Sequence, residues 1–130
     1  MTQDVKVNRS DVMRVPSVDR PGLSLDPMRI HQGGNGGYQA LNLAVLMGAT
    51  KVILLGYDMH ATAESKHFHP DHPLGLNNPY PGLFEKWIQN FRTTLDDLKK
   101  ASVTVVNCTP DSALDCFPRV PLEDVLHVWR

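Results

Sequence analysis

The run Gly33-Gly34-Asn35-Gly36-Gly37 followed directly by Tyr38-Gln39-Ala40-Leu41-Asn42-Leu43-Ala44-Val45-Leu46-Met47-Gly48 constrains this chain more than any other stretch. Glycines free the backbone to take φ > 0 and let a second group approach closely. The residues after them carry no charge and are almost wholly apolar, which predicts a helix over 37–47 packed on more than one side. Gly48 stands where a helix ends in a left-handed residue. Lys51-Val52-Ile53-Leu54-Leu55 then reads as a short strand covered on both faces, and Asp58 falls just past its carboxyl end. Loop, helix, stop, strand and acid in that order are the opening of a nucleotide-type α/β unit, with ligands expected beyond the strand ends.

The loop is neither of the two familiar phosphate-binding patterns. It lacks the Gly-Lys-Ser/Thr ending of a P-loop, and Gln39 stands where a dinucleotide fingerprint needs its third glycine. We read Gly34, Asn35, Gly36 and Gly37 as a cradle for a phosphate or ribose, with Asn35 and Gln39 as polar readers. The bland alternative is a tight turn in which the glycines only permit close packing.

Around this unit the chain is less regular. Residues 1–32 form an extended lead-in broken by Pro16, Pro21 and Pro27, with short strands expected at 4–8 and 12–15 and a brief pairing at 28–30. Residues 56–81 have no helical or strand period and hold four of the six histidines, His60, His67, His69 and His72. Structureless connections of that length are functional or disordered. Pro81-Gly82 opens a second helix, whose Phe84, Trp87, Ile88, Phe91, Leu95 and Leu98 recur at three- and four-residue spacings. Val103 to Val106 reads as a second buried strand, with Asn107 at its carboxyl end facing the ligand crevice. A helical turn at 112–117 and a last helix at 122–128 complete the reading. Asp111 and Ser112 are expected to form side-chain turns rather than a site. The alternation predicts an α/β fold, a small Rossmann-like three-layer domain with a mainly parallel sheet, as one domain over 1–130 with its core in 33–130.

Composition excludes several function classes. The formal net charge of −1 and the lack of a Lys/Arg run give nucleic acid and anionic membrane no electrostatic foothold. No apolar run reaches membrane-spanning length, and the first residues lack a signal-peptide core. Cys108 and Cys116 make no disulfide framework and no zinc knuckle, which predicts free thiols and a cytoplasmic setting. Incomplete sheet edges predict a homodimer.

The densest chemistry lies in His67-Phe68-His69-Pro70-Asp71-His72. Written H-x-H-x-D-H, it resembles the metal signature of the metallo-β-lactamase superfamily. No apolar strand precedes it, His127 is the only later histidine, and the chain is shorter than that fold. We therefore read His67, His69, Asp71 and His72 as candidate ligands for a divalent ion such as zinc, not as a mark of that family. Two alternatives stand beside this: one of the histidines as an acid–base group near neutral pH, and a solvated polar loop. Asp58 with His60 is read as a partner for a ribose, a metal or a sugar hydroxyl, or as a turn cap.

Taken together, G-G-N-G-G-Y-Q-A-L-N-L-A, I-L-L-G-Y-D-M, H-F-H-P-D-H-P-L-G-L-N-N-P and V-N-C-T-P-D-S-A-L-D-C-F-P resemble a group of phage and prophage proteins. That group is linked to the family of archaeal 6-hydroxymethylpterin diphosphokinases and, more distantly, to Rossmann-like bacterial sialyltransferases. The resemblance spans roughly residues 28 to 127. The sialyltransferase similarity implies transfer from a nucleotide-activated sugar without a metal in the chemistry, the donor held by Gly34, Asn35, Gly36 and Gly37 and the general base supplied by His72 or His69. His60 stands where that family has a phosphate-binding tyrosine. The pterin-enzyme similarity implies instead diphosphate transfer from ATP with magnesium, Asp58 being the matching carboxylate. Such enzymes carry a further N-terminal half in place of the lead-in, so the resemblance implies a fragment, a minimal version, or a module completed by another chain.

Overall fold

The helix predicted after the glycines forms because both of its ends are chemically specified. In the computed structural model, which describes residues 10–11, 13–61 and 80–129, α1 runs Gly36–Leu46. Asn35 is its N-cap: the side-chain oxygen accepts from Tyr38 N at 2.8 Å, satisfying a donor the first turn leaves open. At the other end Gly48 N donates to Val45 O and Ala49 N to Ala44 O, each at 3.0 Å, with Gly48 at φ +90°. This is the paired closure in which a left-handed residue turns the chain back on the last carbonyls.

Two parallel strand pairs flank this helix in sequence. β1 (Ser17–Val18) pairs with β2 (Ile30–His31), and β3 (Lys51–Leu54) pairs with β4 (Thr104–Asn107) in the register Lys51↔Thr104 to Leu54↔Asn107. Among the described residues they are two separate two-stranded sheets, not one. The pairing expected at 28–30 is met by β2, one residue later. Residues 13–15 are irregular, correcting the strand expected there, and 4–8 lie outside the described residues. β3 corrects a second expectation. It ends at Leu54, only Leu54 is buried, and Leu55 is 56% exposed, because one face of this short strand is only partly covered.

The second helix is broken in two. α2 (Leu83–Arg92) and α3 (Leu95–Lys100) are separated at Thr93–Thr94, where both hydroxyls donate back to carbonyls three residues earlier, Thr93 to Asn90 O and Thr94 to Phe91 O, each at 2.7 Å. Such bonds compete with the helical ladder. The last helix, α4 (Leu122–Val128), is where the sequence puts it. The helical turn expected at 112–117 is absent; side chains take over its backbone groups, as shown below.

Strand alternation sorts the core into layers. Leu54 and Val105 pack with Tyr38, Leu41 and Val45 of α1, Phe91 of α2 and Leu98 of α3. Val106 and Cys108 pack with Val125 of α4, with Ile53 beside them. Helices thus cover both faces of the β3–β4 pair, a mixed α/β arrangement with parallel strands. The lead-in is fastened to the first layer by side chains rather than strands. Gly22 N and Leu23 N donate to Thr93 Oγ1 and Asp97 Oδ2 at 2.8 and 2.9 Å. Asn42, fully buried, accepts from Ser24 N and His31 N and donates to Ser24 O. No helix among the described residues is long and apolar enough to cross a membrane.

Candidate functional site

Most of the glycines in the predicted cradle are accounted for by the aromatic rings around them. A Cβ on Gly33, at φ +54°, would overlap the ring of Tyr38, which is 0% exposed and held by a 2.6 Å bond from its hydroxyl to Gly22 O. A Cβ on Gly34, at φ +82°, would lie 3.3 Å from Trp87, and one on Gly37 would lie 2.8 Å from Tyr57 Cε1. Asn90 Nδ2 donates to Gly33 O at 2.7 Å, clamping the loop to α2. Gly36 differs: it is exposed and a Cβ there would meet nothing within 4 Å.

Asn35 is the helix cap and not a free polar reader, although its Nδ2 is buried without a partner among the described residues. Asn35 and Tyr38 between them close part of the helix start. Gly36 N and Gly37 N are among the donors such a start leaves without intrahelical acceptors. Gln39 is half-buried nearby.

Tyr57 joins this helix start to the strand ends. Its hydroxyl donates to Gly37 O at 3.0 Å and its N donates to Thr109 Oγ1 at 3.0 Å. Burial holds its phenol above the ordinary tyrosine range, so it remains a donor. One residue later Asp58 is exposed, and its backbone oxygen accepts from Ala113 N at 2.8 Å. The segments after β3 and β4 are therefore stitched together, and Ser112 is the knot. Its hydroxyl donates to Tyr57 O and accepts from Asn107 Nδ2 and Leu114 N.

Asn107 belongs to that knot and also borders a concavity beyond the strand ends, as the sequence predicts. It is 0% exposed; its Nδ2 donates to Ser112 Oγ and Leu114 O, and its oxygen accepts from Thr109 N. Both amide hydrogens are used within the knot, so toward a ligand Asn107 keeps only the second lone pair of its oxygen. The side-chain turns expected of Ser112 are present.

Sequence reasoning did not foresee the role of His60. Its Nδ1 lies 3.2 Å from Ala61 O and its Nε2 2.8 Å from Asp111 O. Carbonyl oxygens only accept, so satisfying both requires hydrogen on both nitrogens. The carbonyls of Ala61 and Asp111, with the carboxylates of Asp58 and Asp111 adding, hold its pKa above the ordinary histidine value. Met59 and Asp111 on either side have φ of 56° and 50°, conformations that cost non-glycine residues of order 1–2 kcal/mol. Strain of this kind concentrates at functional loops.

His67, His69, Asp71 and His72 lie outside the described residues, so the metal and base readings rest on sequence. Among the described residues no group of three or more potential ligands could hold a metal ion. Both cysteines are free thiols. Burial pushes Cys116 up to about 11 and Cys108 in the same direction, so neither is a poised nucleophile.

Comparison of the chain with protein-family models, with curated proteins and with solved structures finds no match in any of the three.

Proposed function

We propose that this chain binds a nucleotide or nucleotide-sugar at the carboxyl ends of β3 and β4, beside the start of α1. The observation that carries the reading is the hydrogen bond from the Tyr57 hydroxyl to Gly37 O. It sets a helix opening, with open N–H donors and an unobstructed Gly36, against the segment just past a parallel strand. Helix starts favour phosphate through aligned N–H groups and the positive dipole end. Ligands of open α/β sheets gather beyond the strand ends. In this reading Gly36 and Gly37 hold phosphate oxygens, and the exposed carboxylate of Asp58 accepts from ribose hydroxyls. Transfer of a sugar from such a donor, with His72 or His69 as general base, is what the sialyltransferase resemblance adds to the proposal.

The test is a thermal-shift and calorimetric titration of metal-stripped full-length chain with cytidine and uridine nucleotides and their sugar conjugates. A ligand that binds only the folded state at a hundred times its Kd stabilises by about 2.7 kcal/mol. Asp58→Asn is expected to weaken nucleotide binding about tenfold, the loss of one charge-assisted bond. No stabilisation by any nucleotide, with stabilisation by zinc alone, would overturn the proposal and point to the histidine cluster instead.

A further inference from the structure

A second concavity opens on the α4 side of the same strand ends. Its volume is about 580 Å³, and its walls are Leu55, Pro110, Val120, Pro121 and Leu122. The backbone shapes it in advance. Residues 118–120 run beside β4, with Asn107 N donating to Pro118 O at 2.8 Å and Val120 N to Asn107 O at 3.1 Å. The opposite side is set by the left-handed Asp111 and the Ser112 knot.

The polar groups bordering these walls narrow the occupant. Thr109 is 5% exposed and its Oγ1 accepts from Tyr57 N; the hydroxyl hydrogen has no acceptor among the described residues. Arg119 donates one N–H to Ser112 O at 3.2 Å and keeps others for a ligand. Asp111 and Glu123 supply carboxylate acceptors on the rim. Two carboxylates against one guanidinium disfavour an anion inside the groove. A plain hydrocarbon would leave the buried Thr109 donor unanswered, at a cost. Apolar walls with donors and acceptors on the border match a flat, neutral heterocycle bearing both kinds of group on its edge.

We propose that this groove is the seat of the nucleobase, an assignment that rests on the nucleotide reading above. Tyr57 lies between the two parts: its N is bonded to Thr109 at the groove, and its hydroxyl to Gly37 at the helix start. Base and phosphate then sit on either side of a single residue, a separation suited to a mononucleotide. The glycine loop contacts the phosphate end and has no part in choosing the base. Base choice falls to Thr109, Arg119, Asp111 and Glu123.

The experiment is amide chemical-shift mapping on the full chain, titrated with cytidine 5′-monophosphate, uridine 5′-monophosphate and ribose 5-phosphate. It is repeated on Leu55→Trp, which fills the groove from an exposed position, and on Arg119→Gln. Expected are shifts at residues 55, 109, 120 and 122 with a nucleotide but not with ribose 5-phosphate. Both variants should weaken nucleotide binding about tenfold, the scale of one lost buried bond, and leave ribose 5-phosphate binding unchanged. Nucleotide shifts confined to residues 33–39 and indifferent to Leu55→Trp would overturn the base seat while leaving nucleotide binding intact. Absence of binding by both nucleotides and by ribose 5-phosphate would overturn the nucleotide reading, and this assignment with it.

Discussion

Replacing single glycines by alanine separates packing from ligand contact in the loop before α1. At Gly33 the added methyl would enter the ring of Tyr38, and the ring cannot move aside. It is fully buried, bonded to Gly22 O at 2.6 Å, and packed edge-on against Phe91 with centroids 5.3 Å apart. Overpacking of this kind costs about 1–3 kcal/mol, and the φ of +54° adds about 1–2 kcal/mol for a residue with a Cβ. Gly33→Ala should therefore lose about 2–5 kcal/mol, a large share of the 5–15 kcal/mol typical of a folded domain. Gly36→Ala is the control. Its Cβ meets nothing and its φ is not in the left-handed region, so stability should hold or rise by up to about 1 kcal/mol. If phosphate approaches at Gly36, the same variant should nonetheless weaken nucleotide binding. Urea denaturation read by tryptophan fluorescence, with a nucleotide titration on each variant, measures both quantities. A Gly33→Ala protein within about 0.5 kcal/mol of the parent, a change typical of unconstrained surface sites, would refute the packing argument.

Two other outcomes follow from named contacts. Asn42→Leu removes the partners of Ser24 N, Ser24 O and His31 N; at about 1–3 kcal/mol for each buried orphan, with His31 half-open to water, the loss should be about 3–5 kcal/mol. Hydrogen exchange should show residues 24 and 31 losing protection ahead of β3 and β4, and unchanged exchange there would count against the fastening role. His60, followed by NMR, should titrate above its ordinary value. Because its folded pKa is raised, its contribution to stability is complete below the unfolded value near 6.5 and disappears as pH rises through the folded value. His60→Gln should abolish that dependence, and a titration at or below 6.5 would contradict the two-carbonyl geometry.

Local signals in the sequence were faithful where one segment decides its own shape. The Gly48 stop and the strands at 51–54 and 104–107 depend on neighbours a few residues away, and all could be read within a residue or two; Asn35, read as a ligand contact, is instead the cap of α1. Signals that depend on distant partners misled. The spacing of Phe84 to Leu98 is continuous, so nothing local announces that Thr93 and Thr94 would turn their hydroxyls onto the backbone; Thr93 does so while serving Gly22, 71 positions away. Asn107 looked like a ligand reader because a polar residue at a strand end often is one. Only the folded chain brings Ser112 and Leu114 to consume its amide hydrogens. The glycines were legible as a close approach, but sequence could not say that the approaching groups include Tyr38, Trp87 and Tyr57. The groove beside α4 draws its walls from three separate stretches, so no single local motif announces it.

The register of the β3–β4 pair has a consequence for how this chain can change length. Lys51 lies opposite Thr104, 53 positions further on, so the pair closes a large loop whose entropic cost rises only with the logarithm of its size. Ten more residues in the connection from β3 to α2 would add about 0.2 kcal/mol. Of the residues that fix the strand ends to one another, Thr109 and Ser112 stand outside that connection, and Tyr57, Asp58 and His60 stand at its start. Past His60 the chain is thus free to lengthen or shorten between its two halves while the floor beneath it stays the same.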